Sequence, residues 1–288
     1  MRVRPIQIRR QPSSVIAQDL FFYLSLSLIL MLTLLAACAP LAAPHSPTDQ
    51  DLTARFLPPG SSGHLLGTDQ FGRDVASRLI YGTRAALLVG AVSVSIALAL
   101  GIVVGLAAGL TEGFLDSALM LVMDSLLSFP TILLAITVVA VFGYGLIQVM
   151  GAIGVIFSPV FARLVRAETL ALKHEGYVES SRALGSGTLK TVSLHIVPNM
   201  LPRIIVQCSV TFALSVVIEA SLSFLGLGTQ PPNPSWGLML KEARNYLFQA
   251  PWLAFYPGLA IGITVFSFNL LGDSLSERLN PVSRGSRE

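Results

Sequence analysis

The feature that most constrains this chain is a succession of six apolar stretches: Leu20–Ala39, Ala85–Leu110, Ala118–Phe142, Leu146–Leu164, Ile204–Leu222 and Trp252–Leu271. A helix crossing a bilayer needs about 20 mostly apolar residues, because in lipid only its own backbone ladder can satisfy the peptide groups. Charge supply agrees. Only 12% of the 288 residues are charged, about half the share a water-soluble domain uses to cover its surface. The sequence therefore reads as an all-α polytopic membrane protein. It excludes a water-soluble enzyme, a disordered chain and a nucleic-acid binder; the net charge of +3 reflects basic loops.

An even number of spans puts both termini on one side. With that side cytoplasmic, thirteen Lys/Arg residues lie inside and six outside, the bias expected of inside loops. The expected organisation is a cytoplasmic tail (1–19), a six-span domain (20–277) and a cytoplasmic tail (278–288). The domain carries an outer loop (40–84), a cytoplasmic loop (165–203) and a second outer loop (223–251). In the first outer loop, 69–81 is expected to form an amphipathic helix leading into the second span. The second contains the run from Thr229 to Gly237, whose prolines prevent a regular helix. The stretches 69–84 and 230–236 of these loops are expected to contact a partner or to close the outer mouth, with a purely structural cap as the alternative.

Chemistry-bearing motifs are sparse. The sequence has no phosphate-binding Gly-x4-Gly-Lys-Ser/Thr loop, no His-Glu-x-x-His and no Gly-x-Ser-x-Gly elbow. His45, His64, His174 and His195 fall in loops, and Cys38 and Cys208 are isolated in apolar segments. No bound cofactor or metal is expected, and an intramembrane enzyme has no paired nucleophile and base. Leu35-Ala36-Ala37-Cys38 resembles a lipoprotein cleavage site, but five further spans follow it and the basic cluster ends early, at Arg10. An ordinary first span is the better reading. Gly101, Gly105 and Gly109 repeat at intervals of four, clearing one helix face for close approach by a neighbouring backbone, in this chain or in a second subunit.

The cytoplasmic loop is the most informative stretch. Good helix formers fill Gly176–Leu184, Gly185 and Gly187 interrupt them, and a second short helix is expected over 188–195, before Pro198. Leu184, Leu189 and Val192 supply an apolar face. A helix–glycine–helix element projecting from a membrane domain suits docking to a soluble partner. Within it, Glu179-Ser180-Ser181-x3-Gly185 followed by Ile196-Val197-Pro198 resembles the EAA loop of bacterial ABC importer permeases. Ser180 and Ser181 stand for the two alanines of that pattern, and Val197 for a leucine. Three further stretches resemble one subgroup, the second permease subunit of the dipeptide/oligopeptide/nickel family. They are His64–Arg84, Glu219–Gly237, and Ala250–Gly258 with Phe268–Asp273.

The resemblance implies a type I ABC importer permease fold in the bacterial inner membrane and a non-catalytic subunit. It also implies partners: a second permease, two ABC ATPases that use the ATP and Mg, and a solute-binding protein. Peptide is the first expectation for cargo, with nickel or another small solute as the alternative; an ATP-independent secondary transporter is the distant one. The expected coupling residues are Glu179, Ser180, Ser181, Ala183, Leu184, Gly185, Ser186 and Pro198. Glu179 is expected to fix the loop through a hydrogen bond or salt bridge. Gly185 is expected to supply a turn that a side chain would obstruct. Asp124 and Glu219 are acids at membrane depth, where charge is costly, and are candidates for lining the path or for positioning helices.

Overall fold

A computed structural model describes residues 12–279, with side chains from residue 19 onward. Arg2, Arg4, Arg9, Arg10, Arg284 and Arg287, which contribute to the charge bias, lie outside the described residues.

The described chain is helical, in the order α1 (Pro12–Ala37), α2 (Ala39–Ala42), α3 (Val75–Thr111), α4 (Gly113–Leu127), α5 (Thr131–Phe142), α6 (Leu146–Leu172), α7 (Gly176–Ala183), α8 (Thr188–Thr191), α9 (Val197–Leu225), α10 (Trp236–Ala243) and α11 (Trp252–Leu279). Five helical segments are each long and apolar enough to cross a membrane unaided. A sixth crossing requires α4 and α5 together, which are bent by 94°. The third expected span, 118–142, is therefore broken. Pro130 disfavours helical backbone at Phe129 and has no N–H to continue the ladder, so α4 stops at Leu127 and Pro130 caps α5.

The direction of packing shows that the bent pair crosses. Successive positions along α3 meet successive positions along α6. Ser93 donates to the carbonyl of Met150 at 3.1 Å, Gly101 faces Phe161, and Gly109 faces Thr169. The two helices run parallel, so the chain between them must return across the bilayer. Six crossings follow. At the ends of the bundle Asp19, early in α1, accepts from Arg278, late in α11, at 2.6 Å, so the first and last spans meet on one side.

α3 and α6 form the most extensive helix pair. Around them lies a core of Val89, Ala97, Val149, Ile153, Phe161 and Leu222. The expected amphipathic helix at 69–81 is shorter than the sequence suggests. Its helical part begins at Val75, where the Asp74 side chain accepts from the Ser77 amide and caps α3. Across the expected domain boundary at residue 19 the helix is continuous, since α1 starts at Pro12.

Candidate functional site

The cytoplasmic element is built as the glycines dictate. α7 ends at Ala183, and the chain turns at Gly185 with φ +85°. The Gly185 amide donates to Arg182 O at 2.9 Å, and the Ser186 amide to Ser181 O at 3.1 Å. These two bonds are the Schellman pattern, which satisfies orphan carbonyls at a helix end through one left-handed residue. A Cβ on Gly185 would meet nothing within 4 Å. The glycine is thus required by the backbone conformation of the turn, and not by crowding around it.

α8 does not stop before Pro198. It passes through one π-helical turn, Val192–Ile196, directly into α9, with Pro198 in the first turn of that helix. The wider turn falls where the proline's missing N–H and its ring would break an α ladder. Its inner side is anchored by Val192, Ile196 and Met200, which pack with Val165 and Ile204. Val192 therefore faces inward, contrary to its placement on the outer apolar face. Leu184 and Leu189 remain outward, 88% and 83% exposed; Tyr177 is also exposed, with its ring in edge contact with His195. Two isolated leucines on a buttressed turn form an apolar contact surface.

The remaining sequence-selected residues frame that surface. Ser180 donates to Gly176 O at 2.7 Å. Ser181 and Ser186 are half-buried, while Ala183 and Pro198 are exposed. Glu179 is exposed, and among the described residues its carboxylate has no hydrogen-bond or ion-pair partner. The loop is fixed by the turn and by Val178, Val192 and Ile196, not by a bond from Glu179.

Above this element, a ladder of ion pairs joins α4 to α6. Asp124 accepts from Arg163 at 2.6 Å. Asp116 accepts two bonds from Arg166, at 2.5 and 2.6 Å. Glu112 pairs with Lys173, whose ammonium holds the Glu112 carboxyl below its ordinary range. On the same side Glu168 pairs with Arg203. Asp116, Asp124, Arg163 and Arg166 also line an open cleft of about 390 Å³, with Ser117 and Met120. Sequence reasoning singled out Asp124 alone. The available signal was that acids at 112, 116 and 124 face a matching basic set at 163, 166 and 173 in a neighbouring span.

Glu219 is 1% exposed. It accepts from Ser223 at 2.7 Å and from Thr229 at 3.5 Å. It therefore ties the end of α9 to the second outer loop. That loop and the first form a joint cap. Arg73 bonds Asp69 at 2.6 Å and Glu242 at 2.9 Å, and Arg78 reaches Glu242 at 3.0 Å. Bridged, mutually satisfied charges of this kind hold geometry that a single partner loss would leave uncompensated.

Gly105 and Gly109 lie against α6. A Cβ on Gly105 would fall 2.6 Å from Ala162 O, and one on Gly109 2.7 Å from Thr169 Cβ. With Gly101 facing Phe161 and Ala162, the whole stripe packs inside this chain.

Comparison with known proteins agrees with this architecture. Residues 101–284 match the family model described as binding-protein-dependent transport system inner membrane component. Residues 20–59 match the N-terminal TM domain of oligopeptide transport permease C. The chain is 41% identical over 258 residues to the di/tripeptide transport system permease protein DppC of Pseudomonas aeruginosa, covering 88% of this chain and 85% of the relative. It is 39% identical over 277 residues to the dipeptide transport system permease protein DppC of Haemophilus influenzae, covering 92% and 94%. With the glutathione transport system permease protein GsiD of Pectobacterium atrosepticum it shares 44% over 221 residues, 77% of this chain and 73% of the relative. Among solved structures, an inward-facing form of the MetNI methionine ABC transporter superposes with TM-score 0.58 at 20% identity, over 70% of this chain and 96% of that one. At that identity the likeness concerns the fold.

Proposed function

The chain belongs to the family of binding-protein-dependent transport system inner membrane components, and on that premise we propose that it is the second permease of an importer for short peptides. It is a multi-pass, non-catalytic permease subunit of an ABC importer in the inner membrane. In the proposed assembly it forms the path with a sister permease. Two ATPases dock on the 165–203 loop and supply the energy, and a solute-binding protein delivers cargo to the outer cap.

The observation that carries the reading is the buttressed turn at Gly185, which holds Leu184 and Leu189 out into solvent. Exposed leucines cost free energy until covered, about 25 cal/mol per Å² of apolar surface. A cleft on a soluble partner supplies that cover. Because α8 runs unbroken into α9, a displacement of the docked turn moves a spanning helix. Relatives described as dipeptide and di/tripeptide permeases support peptide as cargo.

The test is affinity purification of the tagged chain from membranes in mild detergent, with mass spectrometry of its companions. A second permease and ATPase subunits are expected. A double variant, Leu184→Asp with Leu189→Asp, is expected to keep the permease and lose the ATPases. Recovery of the chain alone, where a known ABC complex stays intact, would sink the proposal. Labelled dipeptide uptake is expected in cells carrying the transporter. Nickel uptake without dipeptide uptake would overturn the cargo assignment only.

A further inference from the structure

At the outer end of α3, three side chains that no part of the transport reading uses converge. His45 comes from the stretch after α2, His64 from the turn at 61–64, and Asp74 from the α3 N-cap. Their ligand atoms all lie within 4.8 Å of one another. The His64 Nδ1 is 2.9 Å from Asp74 Oδ1, and the His45 Nδ1 is 3.9 Å from the same oxygen. The imidazole rings stack with centroids 4.8 Å apart. We propose that His45, His64 and Asp74 form a divalent transition-metal site, Zn²⁺ first, on the outer face of this protein.

Four arguments carry it. The first is donor chemistry: two imidazoles and one carboxylate are a ligand set that binds zinc with a fourth position open to water. The second is spacing. With metal–ligand bonds of about 2.0–2.2 Å, tetrahedral ligand atoms sit roughly 3.3–3.5 Å apart, and the distances of 2.9 and 3.9 Å bracket that separation. The widest separation in the trio, up to 4.8 Å, closes with a side-chain shift of about an ångström, which the partly exposed His45 is free to make.

The third is the supporting shell. Asp74 Oδ2 is fully engaged, accepting from the Ser77 amide and the Ser77 hydroxyl at 2.7 Å each. Oδ1 is thereby left as the oxygen aimed at the two imidazoles. The His45 amide donates to the same Ser77 hydroxyl at 3.0 Å, which fixes the His45 backbone to the first turn of α3. Outer contacts that orient ligands in this way are what metal sites require. The fourth is access: the His45 side chain is 43% exposed, so an ion can enter from solvent. Once bound, it would join three segments that are separate in sequence and would clamp the loop after α2 onto α3.

The test is Zn²⁺ binding to the full chain in lipid nanodiscs, read by competition with a chromophoric chelator, with Co²⁺ absorption as the geometric probe. The wild-type chain is expected to bind one Zn²⁺ and to give the visible bands of four-coordinate Co²⁺. His45→Ala is expected to weaken binding at least tenfold; because that side chain is partly exposed, the fold survives. His45→Ala with His64→Ala is expected to abolish binding and the Co²⁺ bands, while His174→Ala with His195→Ala changes neither. Equal binding by the wild-type and His45/His64 variants overturns the site, as does loss of binding only in the His174/His195 variant. Transport does not enter this readout, so its outcome is independent of the peptide-importer reading.

Discussion

Trp236 donates its indole N–H to the carbonyl of Leu79, 3.1 Å away and 157 positions back in the chain. The bond fastens α10 to the first turns of α3, and Gly82 lies beneath the ring, where a Cβ would come within 2.7 Å of Trp236 Cδ1. Trp236→Ala is therefore expected to destabilise the protein by about 3–5 kcal/mol, the cost of emptying a large buried aromatic site. Trp236→Phe keeps most of the volume and is expected to cost about 1 kcal/mol for the lost hydrogen bond. Thermal unfolding in detergent, followed by a thiol probe or light scattering, separates the two; equal losses would show that the indole bond and not the packing dominates.

Gly185 offers a test of conformation against crowding. At φ +85° an L side chain costs roughly 1–2 kcal/mol, and Asn tolerates that region better than other residues. Gly185→Asp is expected to abolish uptake while membrane abundance stays at the wild-type level. Gly185→Asn is expected to retain measurably more uptake than Gly185→Val. The reverse order would mean that space, not backbone geometry, sets the requirement.

The glycine stripe on α3 predicts a graded response. Gly105→Ala already drives a methyl group to 2.6 Å from Ala162 O, and overpacking of this sort typically costs 1–3 kcal/mol. Gly105→Leu is expected to exceed that and to lower the amount of folded protein recovered from membranes. The exposed Gly258, which has nothing near its Cβ, is the matched control, and Gly258→Ala is expected to be nearly neutral.

The two membrane acids are expected to part company. Glu219→Ala strands the hydroxyls of Ser223 and Thr229 in a buried site, at a cost of about 1–3 kcal/mol. Asp124 and Arg163 are each about half exposed, and such pairs contribute about 0–1 kcal/mol. Asp124→Asn should leave the unfolding temperature nearly unchanged. A large shift from Asp124→Asn and none from Glu219→Ala would reverse the roles assigned to them.

The span count was legible in the sequence because a bilayer imposes a length on every crossing, and apolar runs record that length directly. The helix–glycine–helix element was legible because Gly185 and Gly187 mark its turn. The break at Ser128–Pro130 was visible as a proline, but its 94° bend depends on how α4 and α5 pack. Leu189 and Val192 look alike as sequence, yet one faces solvent and the other the core. The packing of Val192 with Val165 and Ile204 decides that, and no residue pattern announces it. Glu219 was open to both a path and a positioning reading because its partners, Ser223 and Thr229, are small polar residues whose approach depends on how the second outer loop folds back. The meeting of His45, His64 and Asp74 was hidden for the same reason: their spacing follows no ligand motif, and the loop between them had to fold before they became neighbours.

The uninterrupted helix from Thr188 to Leu225 has a mechanical consequence. Its 38 residues span about 57 Å at the rise of an α-helix, with Leu189 near one tip and Glu219 near the other. On the proposed docking, a rod of that length would act as a lever, with the bonds that clamp Glu219 to the outer loop making that end its fulcrum. A tilt of a few degrees imposed at Leu189 would then become a stroke of ångströms at mid-membrane. The amplitude of that stroke would be set by the length of the helix and not by any relay of side chains along it.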